Sequence, residues 1–399
     1  MKQFLNSEVS QFTKVEKMNN FINYGMVGGG EDAFIGKIHR IAANIDNNFI
    51  LVGGAFSSDP ENSKLFGKKL NLATDRCYSN FQEMAKKESE REDGIEAVVI
   101  VTPNNLHIPI AKEFLNRGIH VICDKPLGTS LNETKSIENL IKKTNRIFAM
   151  TYNYCGYPLV KFARELILSG EIGEIRSIQI EYAQDWLYKK LEDTGQKQAL
   201  WRTDPLKGGL GGCLGDIGTH AFHLLCFVSG IKPTHILADL SQFVFGRTLP
   251  DNANILFRFL TGATGILWVS QIAPGKKNGL NLRIFGSKAG IEWSQENPNF
   301  IKFSVAGKNT IIKGKEDLIN YPYLVKFTRT PSGHPDGFIE AFANIYLDIA
   351  QAIICKRDGK DPPNKTYLPN FNDGIEGMRF IEAAIESDYN NSKWVPFNS

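Results

Sequence analysis

The chain has 399 residues, more than one hydrophobic core usually serves, so we expect two domains. Its composition, 42% apolar and 22% charged, is typical of a soluble globular protein, and a net charge of +3 with no block of like charges argues against nucleic acid or a membrane surface as a partner. The six cysteines are scattered without a C-x-x-C pair, which indicates reduced thiols in a cytoplasmic protein rather than disulfides or a structural zinc site.

Residues 1–21 are interpreted as an N-terminal extension. They carry charge throughout and lack an apolar core, so they predict neither a signal peptide nor a membrane anchor. The longest apolar stretch near the middle of the chain, Ala221 to Val228, is too short to span a bilayer.

The apolar run 22–27 predicts the first strand, and a glycine-rich loop and a helical pattern follow it. That order is typical of a dinucleotide site, because glycines let the backbone approach a pyrophosphate at the helix N-terminus. The spacing is irregular: a strict G-x-G-x-x-G would need glycine at position 33, and the pattern returns only if residues 31–33 are an insertion. A glycine-rich turn of no function is the alternative. The cofactor-binding candidates here are Gly28, Gly30, Phe34, Ile35 and Gly36.

A second apolar run, 49–56, ends at Ser57. NAD-dependent proteins usually offer an acidic side chain to the ribose hydroxyls at this place. Serine can contact either a hydroxyl or a phosphate, and Asp59 is interpreted as a helix-start residue before Pro60. The sequence therefore leaves NAD and NADP both open.

Residues 97–101 predict a buried strand, and the cofactor candidates Thr102, Pro103 and Asn104 close it. A helical pattern follows and ends at Gly118. His107, at the start of that helix, could contact cofactor or substrate, or could equally be a capping or surface histidine.

The apolar run 120–123 ends abruptly in Asp124, Lys125 and Pro126. A strand that runs into charge marks the carboxyl edge of an open parallel sheet, where ligands bind. Pro126 disfavours helical backbone at Lys125, so we expect the ammonium to be held in a rigid, extended elbow; the alternative, which the tripeptide alone would favour, is a solvated strand terminus. Strands that alternate with helices predict a doubly wound parallel sheet over 22–150.

After residue 150 the pattern changes. A helix at 159–167 is followed by strand-like runs at 178–182, 235–245, 255–260, 265–272, 280–285 and 291–293, and by a late helix at 373–387. Successive strands without intervening helices predict a largely antiparallel sheet, in a second domain over 151–399.

A flexible glycine-rich segment, 208–215, delivers Asp216 and His220 into an apolar helical run. If this segment is helical, the two side chains share a face, and the carboxylate can orient a histidine that takes and returns a proton. The alternative is an N-capping Asp216 and a core histidine. His223 extends the set to a spacing that could hold a metal, but no further acids or cysteines are nearby, so we expect none.

With these residues in view, the chain resembles the Gfo/Idh/MocA family of NAD(P)-dependent oxidoreductases over residues 22–390. Residues 123–127 match the family's E-K-P motif and residues 214–220 match its D-x-G-x-H; the Gly28 loop, the 102–104 turn with His107, and Trp201-Arg202 also agree. Three positions depart from the pattern: Asp124 replaces the usual Glu, the glycine loop is three residues longer, and Ser57 replaces the ribose-binding acid.

The resemblance implies a Rossmann domain followed by an α/β domain with a large open sheet, whose exposed face commonly makes dimers or tetramers. We therefore expect a homodimer or homotetramer, with residues 151–399 binding the substrate and forming the subunit contacts. The resemblance also implies NAD or NADP as cofactor, held in part by Asp124 and Lys125, and a sugar, cyclitol or related polyol as substrate.

Our hypothesis is reversible hydride transfer between a secondary alcohol and the nicotinamide ring. His220 accepts the hydroxyl proton, Asp216 holds the imidazole, and Lys125 donates a hydrogen bond to the same oxygen. Two alternatives are a glycoside hydrolase that uses NAD transiently and a non-enzymatic nucleotide-sensing regulator. Weaker substrate-contact candidates, for which structural roles are as plausible, are Tyr152, Asn153, Asp185, Trp201 and Arg202.

Overall fold

The computed structural model describes residues 21–31, 33–361 and 367–397, so the expected extension at 1–21 lies outside the described residues except for Phe21. In chain order the elements of the first part are β1 (Ile22–Gly28), α1 (Phe34–Ile45), β2 (Phe49–Ala55), α2 (Pro60–Lys69), α3 (Phe81–Ser89), β3 (Ala97–Val101), α4 (His107–Asn116), β4 (His120–Cys123), α5 (Leu131–Lys135), α6 (Glu138–Thr144) and β5 (Phe148–Met150).

The first five strands form one parallel sheet in the order β2-β1-β3-β4-β5. All residues of β3 and β4 are buried, which explains why they appear in the sequence as continuous apolar runs: helices cover both faces of such a sheet. The predicted doubly wound sheet is confirmed. Its carboxyl edge carries the loops after β1, β2, β3 and β4.

The second part contains a longer series of strands. Its elements are α7 (Pro158–Leu168), β6 (Ile175–Ala183), α8 (Lys197–Arg202), α9 (Pro205–Gly208), α10 (Thr219–Ser229), β7 (Pro233–Ser241), β8 (Asn252–Phe259), β9 (Thr264–Ser270), β10 (Gly279–Gly286), β11 (Ala289–Ser294), β12 (Ile301–Val305), β13 (Ile311–Lys313), α11 (Pro322–Val325), α12 (Phe338–Arg357), α13 (Phe371–Tyr389) and β14 (Val395–Pro396).

These nine strands form a second sheet in the order β13-β12-β11-β10-β6-β9-β8-β7-β14. Only β6 and β9 pair in parallel, so the predicted mostly antiparallel sheet is confirmed. β8 alternates buried and exposed residues, as expected of a sheet with one covered face. The predicted strand over 235–245 is too long: β7 ends at Ser241, and the amides of Phe243 and Val244 then bond the Asp251 carboxylate in a loop.

Helix α12, which the sequence pattern did not predict, packs against α1 of the first part. His39 Nδ1 and the Tyr346 hydroxyl lie 2.7 Å apart, and Tyr346 also meets the Phe49 ring edge to face. A helix from beyond residue 150 thus shares a buried cluster with β1, and the domain boundary at 150 stays a prediction. By length and composition α12 could cross a membrane, but 61% of its most apolar window is buried within the fold.

Candidate active site

A cavity of about 1400 Å³ lies at the carboxyl edge of the parallel sheet. Its walls come from both parts of the chain: the loops after β1 to β4 on one side, and residues of β6, α8, α10 and the turn before β10 on the other. A space of this size holds more than one small ligand, because drug-sized molecules occupy pockets of roughly 300–1,000 Å³.

The glycine loop forms one end of this cavity. Gly28, Gly30, Phe34 and Ile35 line it. A Cβ on Gly30 would lie 2.8 Å from the Phe56 carbonyl oxygen, so the loop has room only for bare backbone. Gly36 does not line the cavity. It packs helix α1 against the loop instead, since a Cβ there would come within 2.4 Å of Gly29 Cα.

The N-terminus of α1 faces the same loop without a cap of its own. Ala33 occupies the N-cap position, no side-chain cap is formed among the described residues, and the first turn carries no acid. A 12-residue helix that begins this way offers unpartnered N–H groups to an anion.

Ser57 lines the cavity at the end of β2, where its Oγ accepts a hydrogen bond from the Asp59 amide at 3.1 Å. Asp59 is the N-cap of α2, as predicted, and accepts from the amides of Glu61 and Asn62. Lys69 also lines this region, in an ion pair of 2.5 Å with Glu31 that the sequence did not predict.

The turn after β3 places Thr102, Pro103 and Asn104 along the cavity wall. Thr102 Oγ1 and Asn104 Oδ1 are buried and have no hydrogen-bond partner within the described ranges. Asn104 Nδ2 donates to the Gly208 carbonyl at 2.9 Å and so links the first sheet to α9. Unsatisfied buried polar atoms are costly, and their occurrence on two residues of the cavity wall favours a polar ligand there.

His107 does not line the cavity and is not at the surface, so neither of its predicted positions is found. It is buried, with Nδ1 2.8 Å from the Pro126 carbonyl oxygen and Nε2 3.0 Å from that of Thr102. The ring therefore ties the β3 turn to the elbow that follows β4. These partners could not be predicted from the sequence, because every residue carries a main-chain carbonyl and its identity does not mark it as an acceptor.

Lys125 lies two residues after the end of β4, and the peptide bond that joins it to Pro126 is cis. Asp124 fixes the elbow, since its Oδ1 accepts from the Lys125 amide at 2.9 Å and from Thr151 Oγ1 at 2.8 Å. The Lys125 ammonium crosses the cavity, donates to the main-chain carbonyl of Asp216 and lies 3.5 Å from Asp216 Oδ1. Both Asp124 and Lys125 line the cavity.

Asp216 lies in a π-helical turn, Leu214–Gly218, just before α10. Its Oδ1 accepts from Arg202 Nε at 3.1 Å and its Oδ2 from Gln271 Nε2 at 2.7 Å. Burial alone would raise the pKa of this carboxyl, but the charges of Arg202 and Lys125 and the hydrogen bonds lower it to about 2. The carboxylate is therefore ionised at any ordinary pH.

His220 lies in the first turn of α10 and lines the cavity. The predicted contact, in which the Asp216 carboxylate orients the His220 ring, is not formed: the carboxylate accepts from Arg202 and Gln271 instead, and the buried His220 Nδ1 has no partner in the part of the chain described. The wider π turn changes the relative facing that four-residue spacing would give in an α-helix. Burial and the charge of Lys125 hold the pKa of His220 well below its ordinary value, so the ring is neutral.

Comparison with known proteins agrees with this arrangement. Residues 22–152 match the family model described as an oxidoreductase family with an NAD-binding Rossmann fold, and residues 160–292 match the GFO/IDH/MocA C-terminal domain. The chain belongs to the Gfo/Idh/MocA family. The predicted family is therefore confirmed, and with it an NAD-binding dehydrogenase.

Three relatives illustrate the likeness within the Gfo/Idh/MocA family. An oxidoreductase structure from Sinorhizobium meliloti is 44% identical, with a TM-score of 0.84 over 94% of this chain and 99% of that one. An inositol dehydrogenase homolog from Azotobacter vinelandii, solved with NADH and myo-inositol, is 34% identical, with a TM-score of 0.88 over 94% and 98%. The uncharacterized oxidoreductase YfiI of Bacillus subtilis is 38% identical over 389 residues, 94% of this chain and 97% of its own.

The weaker substrate candidates divide into two groups. Asn153, Trp201 and Arg202 line the cavity, and the Arg202 guanidinium lies 4.2 Å from the Trp201 ring centroid. Tyr152 and Asp185 do not line it.

Tyr152 and Asp185 have other contacts. The Tyr152 ring stacks on His223 with a centroid distance of 4.2 Å. Asp185 accepts from the Gly275 amide and from the ammonium of Lys277, a residue that does line the cavity, at 2.9 Å. Across the described residues, no group of three or more His, Cys, Asp or Glu is arranged to hold a metal ion.

Several cavity residues of this Gfo/Idh/MocA chain escaped the sequence analysis. They are polar or aromatic side chains after β5, on or just after β6, before β10 and after β11, namely Tyr154, Tyr182, Gln184, Lys277, Asn278 and Gln295. The available signal for Tyr182 is its place on the buried side of an alternating strand, where a phenol needs a hydrogen-bond partner. The others reach the cavity only through strand pairing.

Proposed function

We propose that this enzyme transfers hydride reversibly between a nicotinamide cofactor and a secondary alcohol of a sugar, cyclitol or related polyol. One observation carries the proposal: Lys125, at the end of a strand in the first sheet, and His220, on a helix of the second part, line one cavity together with the glycine loop. The proposed catalytic residues Lys125 and His220 thus line the same cavity as the proposed dinucleotide-binding loop.

The residues at the cavity fit a dinucleotide. Gly28, Gly30 and the uncapped N-terminus of α1 suit a pyrophosphate, and Ser57 suits the adenosine ribose. The unpartnered oxygens of Thr102 and Asn104 are placed to receive donors from a bound ligand. When bound, the nicotinamide supplies the hydride acceptor.

His220 takes the proton of the reacting hydroxyl. A base must be neutral to do so, and the buried ring beside the Lys125 charge is neutral because its pKa is held well below the ordinary value. Lys125 donates a hydrogen bond to the same substrate oxygen, since an ammonium has three donors and Asp216 does not occupy all of them. A cation there stabilises the developing alkoxide more than the neutral alcohol, which raises the rate.

Asp216 acts on the lysine rather than on the histidine in this mechanism. Its carboxylate and main-chain carbonyl receive the Lys125 ammonium, and Arg202 and Gln271 hold the carboxylate in turn. Asp216 is therefore a positioning residue for Lys125.

A polyol substrate is favoured by the polar side chains around the two catalytic groups, among them Asn153, Gln184 and Asn278. The Azotobacter vinelandii homolog, 34% identical over nearly the whole chain, was crystallised with myo-inositol and NADH, which supports the same substrate class here.

A substrate panel tests this proposal. Cyclitols, aldoses and ketoses are supplied with NAD and with NADP, and formation or loss of the reduced nicotinamide is followed by absorbance. We expect turnover with at least one polyol, strongly reduced in His220→Gln and retained in His235→Gln, whose histidine lies exposed on β7. Sugar release without net cofactor reduction would contradict a simple dehydrogenase, and inactivity of the whole panel would contradict the substrate class.

We also propose that the subunits associate through the outer face of the second sheet, as a homodimer or homotetramer. Leu256 of β8 and Ile266 of β9 are directly paired there and are 40% and 48% exposed. Light scattering on the wild type and on Leu256→Lys tests this, and a monomeric wild type would refute it.

The cytoplasmic location also stays a prediction. All six cysteines are free thiols, which agrees with it.

A further inference from the structure

Beside His220, two tyrosines and two amide side chains form a hydrogen-bonded group at the cavity wall. Tyr154 follows β5, Tyr182 and Gln184 lie at the end of β6, and Asn278 precedes β10. Strands β6 and β10 are antiparallel neighbours, with Tyr182 opposite Leu280, so the Asn278 amide comes beside the Tyr182 phenol. The Tyr154 ring meets the His220 ring edge to face at a centroid distance of 4.8 Å.

The direction of each hydrogen bond in this group follows from the side-chain chemistry. Asn278 Oδ1 can only accept, and it receives the Tyr182 hydroxyl at 2.7 Å and Gln184 Nε2 at 2.9 Å. The single Tyr182 proton is thereby used. The bond between the Tyr154 and Tyr182 hydroxyls must then carry the Tyr154 proton, and Asn278 Nδ2 donates to the Tyr154 oxygen at 3.2 Å.

Both phenol protons are therefore donated in hydrogen bonds within the group. What the Tyr154 and Tyr182 oxygens retain for a ligand is acceptor capacity. Burial raises the pKa of both phenols, which keeps them protonated and the bonding pattern intact. At the two phenol oxygens, a ligand group that can donate a hydrogen bond is therefore favoured over one that can only accept.

We propose that Tyr154, Tyr182 and Asn278 form a specificity subsite that requires a free hydroxyl on the substrate next to the carbinol that is oxidised. The proposal rests on the proposed function and deepens it: the substrate is a vicinal diol within a sugar or cyclitol, and simple secondary alcohols are poor substrates. The nearness of the Tyr154 ring to His220 places the second hydroxyl beside the reacting one.

The test compares myo-inositol and glucose with analogues in which one hydroxyl is replaced by fluorine, which accepts but cannot donate, or by hydrogen. For wild type we expect replacement beside the reacting carbon to lower kcat/KM about ten- to a hundredfold, because a buried acceptor is then left unpaired.

Two variants separate this subsite from a general structural effect. In Tyr182→Phe the Tyr154 proton loses its acceptor and becomes available to the ligand, so the preference for hydroxyl over fluorine collapses. In Tyr154→Phe the Tyr182 proton stays on Asn278, so the preference persists while overall kcat/KM falls. Tyr389→Phe is the control, since Tyr389 lies exposed at the end of α13.

Equal use of hydroxyl and fluoro analogues by wild type, or an unchanged preference in Tyr182→Phe, would overturn the subsite while leaving the dehydrogenase intact. If wild type oxidises no polyol with either cofactor, the proposed function fails and the subsite fails with it. Should Tyr182→Phe not fold, the wild-type comparison alone decides.

Discussion

The Lys125 ammonium is hydrogen-bonded to the main-chain carbonyl of Asp216 and lies 3.5 Å from its Oδ1. This contact joins the end of a strand in the parallel sheet to the turn that precedes α10 in the second part. Arg202 adds a second cation on the same carboxylate, at 3.1 Å. Lys125, the proposed catalytic lysine, is thus oriented by the Asp216 carboxylate, which Arg202 helps to keep ionised.

Removing Arg202 weakens this arrangement. The folded-state pKa of Asp216, about 2, lies below its ordinary value of 3.8, so the ionised carboxylate stabilises the fold above that value and this contribution is lost as pH falls toward 2. In Arg202→Gln we expect that pKa to rise, acid unfolding to begin at higher pH, and stability at neutral pH to fall by about 1–3 kcal/mol. Denaturant unfolding across pH measures both effects.

The control for Arg202→Gln is Arg283→Gln, which removes an exposed pair with Glu292 at 3.5 Å and should change stability by less than about 1 kcal/mol. Equal losses of unfolding free energy in the two variants would show that the Arg202–Asp216 contact contributes no more to stability than an exposed ion pair.

The low pKa of His220 has a kinetic consequence. Since burial and the Lys125 charge hold it well below 6.5, the ring stays neutral as pH falls through 6.5, and alcohol oxidation should persist there. A pH profile of kcat/KM in the oxidation direction measures this. A fall in kcat/KM at the ordinary histidine pKa would contradict the assignment. So would a fall at lower pH that is found unchanged in His220→Gln.

The contact between Gly36 and Gly29 sets the shape of the glycine loop. A methyl group at position 36 would lie 2.4 Å from Gly29 Cα, so Gly36→Ala must push α1 away from the loop. We expect a loss of about 1–3 kcal/mol in unfolding free energy together with weaker NAD binding by titration. Gly337→Ala, where the nearest atom is a Glu340 oxygen at 3.4 Å, is the control and should leave NAD affinity unchanged.

Cofactor choice should depend on Ser57. A carboxylate introduced there would repel the 2′-phosphate of NADP and accept the ribose hydroxyls of NAD. Ser57→Asp is therefore expected to raise the ratio of NAD to NADP affinity by at least about tenfold, from repulsion alone. Parallel titrations of both cofactors check this, and an unchanged ratio would place the adenosine ribose elsewhere.

Much of the parallel sheet could be predicted because its strands are buried on both faces and therefore appear as apolar runs; β3 was predicted to the residue. Helix α12 could not, because its buried residues surround it instead of forming one stripe, and its partner α1 lies some three hundred positions earlier, as in the His39–Tyr346 contact.

The site residues were predictable where a motif marks a chain reversal beside charge, as at Lys125. The contact predicted between Asp216 and His220 was wrong, because four-residue spacing presumes an α-helix and the chain forms a π turn there. The group around Tyr182 was missed because strand register brings it to Asn278 from 96 positions away.

The central claim, that Lys125 and His220 act on one substrate oxygen beside the bound cofactor, is tested most directly by a double-mutant cycle in kcat. Lys125→Met should lower turnover about a hundred- to thousandfold and His220→Gln about a hundred- to ten-thousandfold, with NAD affinity nearly unchanged in His220→Gln. Because both groups serve the same oxygen, the double variant should lose much less than the product of the two single losses. Near-normal turnover in either single variant, or losses that multiply fully, would contradict the account.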